Sequence, residues 1–157
     1  MILHRFRGQN GIFQLIALLE TCSKTRRLHL FNSISADSPA CGAIVKTKVL
    51  TIDHISSWTS VELRRLSAEL NNDLRSRLFS VLAESGHSAK LRELGVPQDS
   101  KFKTFPLPEH DELDVLIVLK VRELERIGIL ELWRFDPTKS MHDPIVKQDQ
   151  PPDSKAA

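Results

Sequence analysis

The chain has 157 residues, of which 41% are hydrophobic and 27% are charged, and its formal net charge at pH 7 is +2. This composition is typical of an ordinary globular domain and excludes a fibrous or wholly disordered chain. The longest apolar stretches are interrupted by Glu20, Lys46 and Lys120, so none approaches the roughly 20 residues that a membrane-spanning helix needs. We therefore expect no transmembrane segment.

The N-terminal segment and the cysteines bear on localisation. Arg5 and Arg7 precede an apolar patch at residues 12–19, but an acidic residue and a basic loop follow it instead of a run of small residues. That order differs from a secretory signal peptide. Two cysteines, Cys22 and Cys41, do not form a disulfide framework in a chain of this size. We expect a cytoplasmic protein with free thiols.

The first third of the chain predicts strands around one helix. A short strand-like run opens the chain, and apolar residues then repeat with the 3.6-residue period of a helix over residues 12–19. Residues 26–31 predict a strand, in which Leu28 and Leu30 share one face while Arg27 and His29 share the other. Residues 33–40 have the composition of a loop, and the Val-, Ile- and Thr-rich residues 43–52 predict one strand or two.

The middle of the chain predicts a long amphipathic helix. Thr59 and Glu62 form a capping-box pattern, and leucines then repeat at three and four residues through residues 63–82. Gly86 is expected to end this helix, and a short helix follows at residues 88–94.

The last elements are a third helix and a strand. The segment 105–108 contains two prolines and is expected not to be helical, so the helix is predicted to begin at about Asp111 and to end at Gly128. Apolar residues cover more than half of its circumference, which indicates a helix buried on two sides. Residues 130–135 alternate as a final strand would.

Together these elements predict an α+β fold. A small antiparallel sheet from the first third and the final strand packs against the helix at residues 12–19 and the helix at residues 63–82. Residues 1–136 form a single domain with a sub-boundary near residue 55, and residues 137–157, with four prolines and no apolar periodicity, form a disordered tail. The helical C-terminal half resembles a winged helix.

No motif predicts catalysis, a metal site or a cofactor. Ser85 and His87 are close in sequence, but a catalytic triad requires a geometry that adjacency does not produce. Consecutive Glu109, His110 and Asp111 diverge, so they do not converge on one metal ion. The chain also lacks a nucleophile elbow, a phosphate-binding glycine loop and a metalloprotease histidine pair. We therefore predict a protein that is not an enzyme.

Nucleic-acid binding is the alternative function, because helix, short helix, helix and strand is the order of a winged helix-turn-helix. The charges oppose it. The predicted start of the third helix carries Glu109, Asp111, Glu112 and Asp114, which repel phosphate groups. The sequence therefore favours a protein partner over nucleic acid.

Several segments of the first 55 residues together resemble one known family. They are residues 6–8, the apolar helix 12–20, the basic turn 24–27, the strand 28–30 and residues 42–45. This order resembles the PATAN family, bacterial domains found beside response-regulator receivers and in other signalling proteins. The family is regarded as a protein-interaction module without enzymatic activity. The resemblance thus implies an interaction module in bacterial signalling or regulation and supplies no catalytic residue.

Basic residues alternate along the predicted strands. Each strand projects two of them from one side, because residues two apart share a face. If the strands are neighbours, the pairs converge on the sheet face opposite the helices. Such a basic face predicts a protein partner with an acidic surface, where complementary charge speeds encounter; the alternative is a solvated outer face. The residues are Arg5, Arg7, Arg27, His29, Lys46 and Lys48.

Overall fold

The structure is a computed structural model, and it describes residues 9–131. This part of the chain forms eight α-helices and no strand. None of these helices is long and apolar enough to cross a membrane. The helices are α1 (Gln9–Thr21), α2 (Lys24–Asp37), α3 (Pro39–Lys48), α4 (Ile52–Ser56), α5 (Ser60–Glu69), α6 (Asn72–Glu84), α7 (Ser88–Glu93) and α8 (Leu107–Arg126).

The predicted α+β fold with an antiparallel sheet is wrong, because the described residues are helical. Residues 26–31, predicted as a strand, lie in α2, and the predicted loop at residues 33–40 is divided between α2 and α3. The predicted strands at residues 43–52 contain most of α3 and the start of α4. The helix at residues 12–19 is confirmed as α1.

The winged-helix layout requires a final strand after the third helix. The part of that segment that the structure describes is not a strand. Residue 129 precedes the predicted final strand, and residues 130 and 131 begin it. None of these three residues has a strand conformation. The rest of that strand at residues 132–135, the strand-like run that opens the chain and the predicted tail at residues 137–157 lie outside the described residues.

Serine caps explain why the misread segments are helical. The Ser23 hydroxyl accepts a hydrogen bond from the Arg26 amide (3.4 Å) at the start of α2. Ser38 accepts one from the Cys41 amide (3.3 Å) at the start of α3. Pro39 follows as the first residue of α3, where the missing N–H is not needed by the helix. Ser-Pro is therefore a helix start here and not part of a loop.

Proline has the same role at the start of α8. The helix begins at Leu107 with Pro108 in its first turn, so the expectation that residues 105–108 are entirely non-helical is wrong for the last two. The first turn of a helix tolerates proline because its amide has no partner within the helix.

The long helix predicted at residues 63–82 is two helices. Its start is as expected, since the Glu62 carboxylate accepts from the Thr59 amide (2.8 Å). The helix ends at Leu70, which is extended (ψ 144°), and Asn71 then caps α6 by accepting from the Leu74 amide (2.9 Å). The buried leucine stripe nevertheless continues across the break.

The ends predicted at Gly86 and Gly128 are confirmed. Both glycines have a positive φ, 76° and 81°, which closes the ends of α6 and α8 in a conformation that favours glycine. The predicted short helix between them is confirmed as α7.

The buried side chains form two clusters. Helix α8 packs against α6, α4 and α1, which confirms that it is buried on two sides. Val49 belongs to the smaller cluster and the next residue, Leu50, to the larger one. The smaller cluster joins α1, α2 and α3 and comprises Leu15, Leu19, Ile34, Val45 and Val49. The larger cluster joins α4 to α8 and comprises Leu50, Ile55, Trp58, Leu63, Leu66, Leu70, Leu74, Leu78, Leu82, Leu91, Ile117, Val118, Val121, Leu124 and Leu130.

Candidate functional site

The six residues of the predicted basic face are not collected by a sheet in the described part of the chain. Arg5 and Arg7 lie outside it. His29 is exposed on α2, and Lys46 and Lys48 are exposed in the last turn of α3. Residues two apart on a helix point about 200° from each other, so the two lysines diverge. Their positive charges stabilise the C-terminal end of α3, because that end of a helix carries a partial negative charge.

Arg27 has a structural contact that the sequence did not reveal. Its Nε donates to the Leu19 carbonyl (2.8 Å) and its Nη2 donates to the Cys22 carbonyl (2.9 Å). The guanidinium is half-buried and donates to carbonyls at the C-terminal end of α1, where the Leu19 carbonyl also accepts from the Cys22 amide (3.4 Å). Arg27 therefore fixes the angle between α1 and α2.

Large hydrophobic side chains are exposed on α1 and α8. Phe13 on α1 is 71% exposed, and Leu116 and Leu119 on α8 are 49% and 43% exposed. Phe13, Ala17 and Thr21 are four residues apart and share one face of α1. Val115, Leu116 and Leu119 share one flank of α8. We call the surface formed by these six residues the α1–α8 groove.

The two helices of the groove run antiparallel. The C-terminal end of α1 meets the N-terminal half of α8, where a recess of about 400 Å³ is lined by Thr21, Ser23, Asp111, Glu112, Val115 and Leu116. The N-terminal half of α1 meets the C-terminal half of α8, where a recess of about 420 Å³ is lined by Phe13, Ile16, Ala17, Glu20, Lys48, Arg122 and Glu125.

The charges at the two ends of the groove differ in sign. Asp111 and Glu112 lie at one end, and neither forms an ion pair within residues 9–131. Lys48 lies at the other end, and Arg126 is exposed on the last turn of α8; within the same residues they too have no ion pair. The groove therefore has an acidic end and a basic end.

A buried ion pair holds α1 against α8. The Glu20 carboxylate accepts from the Leu50 amide (2.8 Å) and from Arg122 Nε (3.1 Å) and Nη2. Arg122 Nη2 also donates to the Lys48 carbonyl (3.1 Å). Burial lowers the pKa of Arg122, but hydrogen bonds and attraction from Glu20 and Glu125 outweigh burial and raise that pKa above its ordinary value. The guanidinium is thus charged, and its contacts join α1 to α8 along the groove.

A polar cleft of about 320 Å³ lies between α2, α4, α6 and α8, with Arg77 in its wall. Arg77 Nε and Nη2 donate to Asp114 (2.8 and 3.1 Å), while Nη1 lies 3.8 Å from Glu84 and has no hydrogen bond among the described residues. Burial lowers the pKa of Arg77, but Asp114, Glu84 and Asp111 raise it above its ordinary value. Because Nη1 is inaccessible to solvent, a ligand in the cleft does not reach it. The pair joins α6 to α8.

Other chemistry has little support in residues 9–131. No group of three or more His, Cys, Asp or Glu side chains there could hold a metal ion. Cys22 is buried, Cys41 is half-buried, and both are free thiols.

The sequence missed the groove because its residues have the composition of a core. Phe13 and Leu116 fit the apolar periodicity of their helices as well as the buried residues do, so only the packing of α1 on α8 shows which ones stay exposed. The segments that resemble the PATAN family lie in α1, α2 and α3 wherever the structure describes them, and the resemblance stays a prediction. Comparison of the chain with models of protein families, with curated proteins and with solved structures finds no match.

Proposed function

We propose that this protein is an interaction module that binds another protein chain through the α1–α8 groove. The observation that carries this proposal is the exposure of Phe13, Leu116 and Leu119 on two helices that pack together. Several exposed apolar side chains on two packed helices, bordered by charge, are typical of protein-binding sites on soluble domains. Scattered single hydrophobic residues would carry no such inference.

The energetic argument supports binding of a protein chain. Full burial of one leucine or phenylalanine side chain contributes about 1.5–3 kcal/mol, and these three residues, which are 43–71% exposed, have a corresponding share of that burial left to gain. The Glu20–Arg122 pair fixes the positions of α1 and α8 before binding. Preorganisation of this kind reduces the ordering cost of association.

The regulatory role and the compartment come from the sequence. The PATAN resemblance implies bacterial signalling or regulation without enzymatic activity, and we retain that setting in the proposal. We place the protein in the cytoplasm, where free Cys22 and Cys41 stay reduced. We do not propose a partner with an acidic surface. The prediction of such a partner depends on a basic sheet face, and residues 9–131 contain no sheet.

Nucleic-acid binding is less well supported than protein binding. Glu109, Asp111 and Glu112 lie in the first two turns of α8, the position that would meet a phosphate or a base. Retention on a DNA column that falls steeply between low and moderate salt would favour the nucleic-acid function instead.

Capture from extracts of the source cell tests the proposal. The full chain is immobilised as wild type, as Phe13→Ser/Leu116→Ser and as a matched control, Val61→Ser. Val61 is 62% exposed on α5, away from the groove, so its replacement removes a similar side chain. Circular dichroism and the melting temperature first establish that all three are folded.

The proposal expects chains that wild type and the Val61 variant capture and the groove variant loses. Each captured chain is then purified, and its direct binding is measured by calorimetry. Identical capture by all three proteins would contradict the proposed function.

A further inference from the structure

We infer that the partner in the α1–α8 groove is a second copy of this chain, paired about a twofold axis that passes beside Leu119. This inference rests on the proposed function and names its partner. In such an isologous dimer each copy presents the same surface to the other. The α8 helices of the two copies run antiparallel, with their Leu119 side chains in contact at the centre.

The charge pattern of α8 carries the inference. Glu112 precedes Leu119 by seven residues and Arg126 follows it by seven, a distance of about 10 Å to either side. A twofold rotation beside Leu119 therefore places Glu112 of each copy next to Arg126 of the other. Both side chains are exposed, and neither has an ion pair within residues 9–131.

The positions also share one stripe of α8. Glu112, Val115, Leu119 and Arg126 are separated by three, four and seven residues, the spacing at which side chains face a partner helix in antiparallel pairing. Leu119 supplies apolar contact at the centre, and Val115 lies one turn to the N-terminal side of it. Glu112 and Arg126 flank this contact, as charged residues do at the rim of an interface.

The second helix of the groove follows the same symmetry. The end that carries Phe13 and Lys48 lies beside the C-terminal half of α8. The rotation moves this end over the opposite end of the second copy's groove, which carries Asp111 and Leu116. The exposed phenylalanine thus meets the recess beside Leu116, and the Lys48 ammonium meets the carboxylate of Asp111.

The size of the surface predicts a weak dimer. Helix α8 has 20 residues and a length of about 30 Å, and two adjacent helices have a width of about 20 Å. The face therefore covers about 600 Å² on each copy, or about 1,200 Å² in total, the lower limit for a stable interface. We expect dissociation in the micromolar range.

Sedimentation equilibrium of the full chain tests the dimer between about 1 µM and about 1 mM. The expected result is a mass that rises from one copy to two across this range. Leu119→Arg should leave the protein monomeric, and Val61→Arg, the matched change on α5, should not alter the dissociation constant. Circular dichroism of each variant confirms that it is folded.

A charge exchange tests the predicted register. Glu112→Lys alone and Arg126→Glu alone should each weaken association about tenfold, because each creates two like-charge contacts in the dimer. The double variant Glu112→Lys/Arg126→Glu restores opposite charges and should recover association to within about threefold of wild type. A purely structural effect of either change would not be reversed by the other.

The outcomes separate this inference from the proposed function. A wild-type chain that stays monomeric up to about 1 mM overturns the dimer, and so does a double variant that is no better than the single ones. If the monomeric chain still captures other proteins through the groove, the proposed function holds and only the dimer is wrong.

Discussion

Replacing Arg122 with methionine removes the guanidinium that neutralises the buried Glu20 carboxylate. The Glu20 side chain is 5% exposed, and that of Arg122 is 31% exposed. Removal of one partner from a buried ion pair costs about 3–5 kcal/mol, since the other charge stays buried without a counter-charge. Water reaches part of Arg122, so we expect the lower limit, about 3 kcal/mol of unfolding free energy.

Replacing Glu20 instead of Arg122 lowers the free energy of unfolding for a different reason. Glu20→Met leaves the Leu50 amide without its acceptor, for which we expect about 1–3 kcal/mol. Arg122 is left with Glu125 (2.9 Å) and the Lys48 carbonyl (3.1 Å), and its exposed part remains in water. Once Glu20 is absent, removal of Arg122 no longer leaves a buried carboxylate without a counter-charge. The double variant should therefore be little less stable than Glu20→Met alone.

Urea unfolding followed by circular dichroism measures all four corners of this double-mutant cycle. We expect an interaction energy of about 2–3 kcal/mol between the two positions. If the two single changes add within about 0.5 kcal/mol, the positions are independent, and the ion pair does not hold α1 against α8. A change in the urea m-value would show instead that the compactness of one state has changed.

Three further changes test the packing of the helices, each by thermal and urea unfolding. Asn71→Ala removes the cap that accepts from the Leu74 amide and should lower stability by about 1 kcal/mol, whereas a continuous helix would gain from alanine. Gly42→Ala places a Cβ 3.0 Å from the Ser35 Cα and should lower the melting temperature; a rise would mean that helix propensity outweighs this contact between α2 and α3. Leu78→Ala should cost about 2–5 kcal/mol because Leu78 is fully buried, and an unchanged midpoint would contradict its place in the larger cluster.

The helical half of the fold was predictable because its signals are local. The capping pattern at Thr59, the leucine stripe and the terminal glycines indicate helix in α5, α6, α7 and α8 from neighbouring residues, but they do not indicate the break between α5 and α6. The first third was mispredicted because residues 26–31 and 43–52 are short segments whose apolar residues fit a strand as well as a helix. The signals that distinguish helix from strand in these segments are the caps at Ser23 and Ser38. Ser38 followed by proline also fits a loop, which is why residues 33–40 are predicted as one.

The groove and the ion pair were not predictable from the sequence, since both depend on contacts between distant residues. Glu20 and Arg122 are 102 residues apart and gave no pattern that links them. Phe13, Leu116 and Leu119 have the spacing of core residues. Their exposure depends on how α1 crosses α8, which the arginine contacts decide and which helical periodicity does not specify.

The change of cluster between Val49 and Leu50 has a consequence for how the protein opens. The Val49 amide donates to the Val45 carbonyl inside α3, whereas the Leu50 amide donates to the Glu20 carboxylate. Five buried residues hold α1, α2 and α3 together, against fifteen in the other cluster, so local unfolding favours the first three helices. Hydrogen exchange at the Leu50 amide therefore reports the release of α1 from α8, and that same event dismantles half of the surface proposed to bind a partner.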